Sequence, residues 1–129
     1  MAKDPQTQLP ILGPILEGSS AVFSTLIVNE QDIPIKGLSS LVVSLFDLST
    51  GSTINYRNKQ DVLNTNGGVF DSTTGIYTLS LSPLDIVLLN QEKFEEDHIF
   101  RCDYSYNSGS IFGHYAALIR VRNLNRYIS

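Results

Sequence analysis

Two stretches near the C-terminus decide how the chain is read: His98-Ile99-Phe100-Arg101-Cys102-Asp103-Tyr104-Ser105-Tyr106 and His114-Tyr115-Ala116-Ala117-Leu118-Ile119-Arg120-Val121-Arg122. In the first, Phe100, Cys102, Tyr104 and Tyr106 alternate with Arg101, Asp103 and Ser105. In the second, Tyr115, Ala117, Ile119 and Val121 alternate with polar neighbours. A period of two marks a β-strand with one dry face. The segment between them contains Asn107-Ser108-Gly109-Ser110, which is turn chemistry, so the pair reads as a β-hairpin. A register in which opposite residue numbers sum to 219 places both apolar rows on one face. It sets Phe100 opposite Ile119, Cys102 opposite Ala117, Tyr104 opposite Tyr115, and Asp97 near Arg122. A slip of one residue would turn one row to water.

Working outward, residues 21–28 are rich in β-branched and aromatic side chains and read as a strand. Residues 39–47 form the next, with apolar residues on both faces. Ile33-Pro34-Ile35 reads as an edge segment, because Pro34 has no N–H for a central ladder. Ser49-Thr50-Gly51-Ser52 is a turn after which residues 53–56 return, and residues 57–68 form a long polar loop anchored by Val62 and Leu63. Val69-Phe70 and residues 76–81 are strands. Ser82-Pro83-Leu84-Asp85 has the form of a helix start, with room for a turn or two before Asn90. Some seven short strands without a long amphipathic helix predict an all-β fold, most economically an antiparallel two-sheet β-sandwich of immunoglobulin-like type. A closed barrel is the main alternative.

Residues 1–18 are set apart as an extended N-terminal arm, and residues 19–129 as the sandwich domain. Pro5, Pro10 and Pro14 block a helix or a central strand there, yet Leu9, Ile11, Leu12, Ile15 and Leu16 are apolar. Such an arm either packs along its own domain or reaches a neighbouring subunit. Leu9, Pro10, Ile11, Leu12 and Ile15 are its candidate contact residues.

At 129 residues the chain has the length of one domain, and 42% hydrophobic with 17% charged residues is an ordinary globular composition. A net charge of -4 disfavours nucleic acid, whose binding rests on an excess of Lys and Arg. The basic residues Arg120, Arg122 and Arg126 stand against the acidic run Glu92, Glu95, Glu96 and Asp97, and mutual pairing is the expected outcome. The single cysteine, Cys102, allows no intrachain disulfide and fits the apolar row as a small core residue. The first residues lack the pattern of a secretory signal, and no apolar run approaches the roughly 20 residues of a membrane helix. A soluble protein made and kept in a cytoplasm, away from membranes, is expected.

No catalytic pattern stands out. The two histidines, His98 and His114, fall on opposite faces of the hairpin, and no His or Cys pair has zinc spacing. The acidic run lacks the Gly and Glu positions of a helix-loop-helix calcium loop. Phosphate-cradling and nucleophile-elbow motifs are absent. The expectation is a protein that is not an enzyme and uses no cofactor or metal.

The run Ile54-Asn55-Tyr56-Arg57-Asn58-Lys59-Gln60-Asp61-Val62-Leu63-Asn64, with the later Gly75, Leu81-Ser82-Pro83-Leu84-Asp85, Glu96-Asp97-His98 and Val121-Arg122-Asn123-Leu124, resembles a pattern in small virion proteins of tailed bacteriophages. The likeness extends over roughly residues 20 to 125. It implies a structural component with an immunoglobulin-like fold, either a head-decoration (cement) protein on the capsid or a small part of the neck or tail. Its partners would be the major capsid protein or other virion proteins, and it would be present as a homo-oligomer or in many copies, assembled in the host bacterial cytoplasm. Asn55, Arg57, Gln60 and Asn64 carry over by position without a catalytic role. With Ile99 and Leu118 on the outer face of the hairpin, Asn55, Arg57 and Asn64 make a second set of candidate contact residues. The competing expectation is a ligand- or carbohydrate-binding β-sandwich using Tyr56, Tyr104, Tyr106 and Tyr115.

Overall fold

The computed structural model describes residues 11–124, and every element in them is a β-strand: β1 (Ile11–Leu16), β2 (Ala21–Leu26), β3 (Ser40–Asp47), β4 (Gln60–Asp61), β5 (Gly68–Asp71), β6 (Ile76–Leu81), β7 (Glu95–Tyr106) and β8 (Ile111–Arg122). They form two sheets, one of five strands in the order β1-β8-β7-β3-β4 and one of three in the order β2-β6-β5. Among the described residues, no helix is long and apolar enough to cross a membrane.

The hairpin β7–β8 is the centre of the larger sheet, and its register differs from the expected one. Opposite residues sum to 217: Phe100 faces Ala117, Cys102 faces Tyr115, and Tyr104 faces Gly113. A shift of two preserves every side chain's face, so the alternation that fixed the faces is blind to it. The turn chooses between the registers. Asn107, Ser108 and Gly109 adopt left-handed backbone, and Ser110 N donates to Asn107 O at 3.2 Å, so the loop closes on Tyr106 and Ile111. Strand pairing thus begins at Ile111, three residues before the expected second arm. Gly113 accommodates the shift, because a Cβ there would collide with the Tyr104 ring. Of the acidic run, Glu95 and Asp97 pair accordingly: Arg120 Nε lies 2.8 Å from Asp97 and 3.1 Å from Glu95, and Arg122 Nε lies 3.3 Å from Glu95, whereas Glu96 is buried against His98 and Arg126 lies outside the described residues.

The inward row Phe100, Cys102, Ala117, Ile119 and Val121 is buried, as are Leu41, Val43 and Leu45 of β3. From the smaller sheet come Phe23, Tyr77, Leu79 and Leu81, and these residues of both sheets share one core. Phe23 packs its ring 4.8 Å from that of Phe100 and 5.3 Å from that of Tyr115. Burial pushes the Cys102 thiol up to about 12, so at neutral pH it is an inert core group. Tyr77 ties the sheets together by donating its hydroxyl to Val62 O at 2.9 Å. Gly68 lies against that bond, where a Cβ would strike both atoms.

Residues 11–16, assigned to the arm by sequence, form β1 and pair in parallel with β8 of their own chain. The strand bulges at Gly13-Pro14, which is how an edge strand accommodates proline. The expected helix after Ser82-Pro83 does not form. Ser82 N donates to the side chain of Asp85 at 2.8 Å, closing a turn, and Asp85 is drawn inward by another partner. Residues 53–56 return beside β3 through one bridge, Phe46 to Thr53, rather than as a strand.

Candidate functional site

Three groups of side chains stand out. The first is built on the polar loop after residue 52. Asn55 and Tyr56 adopt left-handed backbone, with φ of 52° and 58°, which turns the chain so that Arg57 points into the protein while Tyr56 is 92% exposed. Arg57 grips Asp85 with both ends of its fork, Nε to Oδ1 at 2.7 Å and Nη2 to Oδ2 at 3.1 Å. Asn55 Nδ2 adds 2.8 Å to Oδ1, and Arg57 Nη1 donates to Gln60 Oε1 at 2.8 Å. Burial alone would raise the Asp85 carboxyl, but hydrogen bonds from Arg57, Asn55 and Ser82, with the Arg57 charge, outweigh it and hold the group below its ordinary 3.8. Asn64, separately, accepts Phe70 N at 2.8 Å. The motif residues are therefore occupied within their own chain, and their donors and acceptors serve as a brace. Two pieces of the sequence pattern that lie far apart, residues 54–64 and residues 81–85, meet in it.

The second group is the outer face of the larger sheet. Phe46, Ile99 and Leu118 are consecutive register partners on β3, β7 and β8, so they form an apolar row across three strands, with Ala116 beside it. All four are half-buried. On one side lies the ladder Glu95, Asp97, Arg120 and Arg122; on the other, Asp103 accepts from Arg101 Nε at 2.9 Å and lies 2.6 Å from His114 Nδ1. Phe112, 71% exposed, continues the same face toward the hairpin tip. The sequence pointed to Ile99 and Leu118; Phe46 joins them only through strand pairing.

The third group, Asp47, Glu96 and His98, is buried where β3 meets β7. It was not foreseen, because Asp47 is far from the other two in sequence and Glu96 was read as part of the acidic run that pairs with the arginines.

Of the arm residues, Leu12 and Ile15 pack against the chain's own core, opposite Ile119 and Val121. Ile11 pairs by its backbone with Leu118, and Leu9 and Pro10 lie outside the described residues. The tyrosines divide: Tyr56 is exposed, while Tyr104, Tyr106 and Tyr115 are half-buried against the core.

No protein-family model matches the chain, and no curated protein matches its sequence.

Proposed function

We propose that this chain is a structural virion protein of a tailed bacteriophage, a capsid decoration (cement) protein that works through protein contacts and performs no catalysis. Its fold on this reading is an immunoglobulin-like sandwich. The strand order supports that: β2-β6-β5 and β8-β7-β3 correspond to the two sheets of that architecture, with β4 as an added edge and β1 crossing over to pair with the last strand.

The observation that carries the functional reading is the apolar row Phe46, Ile99 and Leu118, flanked by ion pairs. A dry centre with a polar rim is the anatomy of a protein contact surface. The brace of Arg57 and Asp85 belongs to the same reading as scaffolding, since it holds the loop rigid without offering free groups to a partner. The resemblance to phage virion proteins selects the partner, the major capsid protein or a neighbouring virion protein.

Leu118→Asp tests this. The variant should fold, with an unchanged far-UV spectrum, and fail to enter particles at wild-type copy number; normal incorporation would remove the outer face from the proposal. Counting copies in purified particles separates head from tail. Hundreds indicate capsid decoration, and about six or twelve a neck or tail ring. Deleting residues 1–10, which spares β1, asks whether the leading segment contributes to assembly.

A ligand-binding module is the second reading. A cavity of about 220 Å³ lies between β2 and the hairpin, lined in part by Tyr104, His114 and Tyr115. Glycan binding that is lost in Tyr115→Ala while the fold is retained would favour it over the virion role.

A further inference from the structure

Asp47 and His98 are register partners on β3 and β7, and Glu96 precedes His98 by two positions on the same face of β7. Their exposures are 2%, 0% and 5%. His98 Nε2 lies 2.9 Å from Glu96 Oε1 and 3.9 Å from Asp47 Oδ1, and the three donor atoms all fall within 4.8 Å of one another. The hydrogen bonds that the Asp47 carboxylate accepts, from Thr50 N and Thr50 Oγ1, both fall on Oδ2, leaving Oδ1 turned toward the imidazole.

One fact sets this cluster apart from a simple hydrogen-bonded group, and a second is neutral between the two readings. First, it places two carboxylates in the interior with, among the described residues, no Lys or Arg at ion-pair distance; His98 is the only basic group that reaches them. Buried charge calls for compensation, and two carboxylates match one divalent cation. Second, His98 Nδ1 is the one buried side-chain nitrogen or oxygen without a hydrogen-bond partner among the described residues. Leaving it unpartnered costs about 1–3 kcal/mol whether Nε2 bonds Glu96 or ligates an ion. Ligation through Nε2 adds no such cost, because the neutral ring then carries its proton on the already unpartnered Nδ1.

We propose that Asp47 Oδ1, Glu96 Oε1 and His98 Nε2 form a structural site for a divalent transition-metal ion of the Zn²⁺ class. Metal–ligand bonds of about 2.0–2.2 Å set neighbouring ligand atoms about 3.4 Å apart in a tetrahedron, and the separations of 2.9 and 3.9 Å lie on either side of that value. The imidazole donor favours this class over Ca²⁺ or Mg²⁺, which take oxygen ligands in larger number. On binding, the Nε2 lone pair goes to the ion, and a proton held on Nε2 leaves it for Nδ1 or for solvent. The ion clamps β3 to β7. Through Glu96, which accepts Leu89 N and Asn90 N at 2.9 Å each, it also fixes the segment leading into β7. Burial of all three ligands favours a structural role, and together they supply three of the four positions of a tetrahedral shell. The inference is independent of the virion reading.

The full chain is unfolded in urea with chelator, then refolded with Zn²⁺ or without metal, so that burial does not limit access. The expected result is about one Zn²⁺ retained per chain and a higher Tm than the metal-free form. Asp47→Asn should lower affinity at least tenfold, and His114→Ala, on the opposite face of the sheet, should leave it unchanged. A wild type that retains no Zn²⁺ after refolding with it, an Asp47→Asn variant that binds as wild type does, or loss of binding in His114→Ala would each overturn the site. If Asp47→Asn does not fold, Co²⁺-loaded wild type decides: paramagnetically shifted ring signals from His98 support the site, and shifts at His114 instead, or none, refute it.

Discussion

Two buried carboxylates of this protein, Asp85 and Glu96, are held on opposite terms. Asp85 is met by a guanidinium, an amide and a backbone N–H, each of which donates to the carboxylate. Glu96 is met by two backbone N–H groups and an imidazole whose other nitrogen is stranded, with the Asp47 carboxylate close by. The first cluster is closed by the chain's own chemistry. The second is closed geometrically but not electrically, and that difference is why the loop motif reads as scaffold and the cluster beside β7 as a place for an ion.

The hardest test of this contrast removes the guanidinium. Arg57→Met leaves Asp85 buried and uncompensated, and should cost about 3–5 kcal/mol in urea denaturation. The double replacement Arg57→Met with Asp85→Leu should recover much of that loss, because both charges are then gone. A double variant no better than the single one would show that the brace depends on shape and not on charge.

A smaller effect is expected with pH. The folded Asp85 carboxyl titrates below its ordinary 3.8, so its contribution is complete above that value and is lost as pH falls through the depressed folded one. Acid denaturation midpoints should therefore separate wild type from Asp85→Asn, with the variant's stability flatter below about pH 4. Parallel acid limbs would mean that Asp85 gains nothing from its partners.

The smallest effect belongs to the exposed ladder. Arg122→Ala should change stability by at most about 1 kcal/mol, and by less at high salt. A larger cost would place the Glu95–Arg122 pair with the buried clusters.

Much of the hairpin was legible. Alternation in residues 98–106 and 114–122 identified which side chains face inward, and Phe100, Cys102, Ala117, Ile119 and Val121 are buried accordingly. The register was not legible, because an even slip costs the pattern nothing; the turn at Asn107 and the space at Gly113 settled it. The helix read into Ser82-Pro83-Leu84-Asp85 failed for a related reason. Local capping signals were present, but Asp85 turns inward to Arg57, a partner that no local pattern reveals.

The sequence by itself determined an all-β chain, its inward rows, the inert role of its single cysteine and the pairing of Arg120 and Arg122 with Glu95 and Asp97. Those follow from period-two hydrophobicity and from charge, which are local and additive. Only the tertiary structure decided that Leu12 and Ile15 join the chain's own core, that Arg57 meets Asp85, and that Asp47 stands beside His98. Each of these joins residues distant along the chain, and such partners are selected by the packing of whole strands.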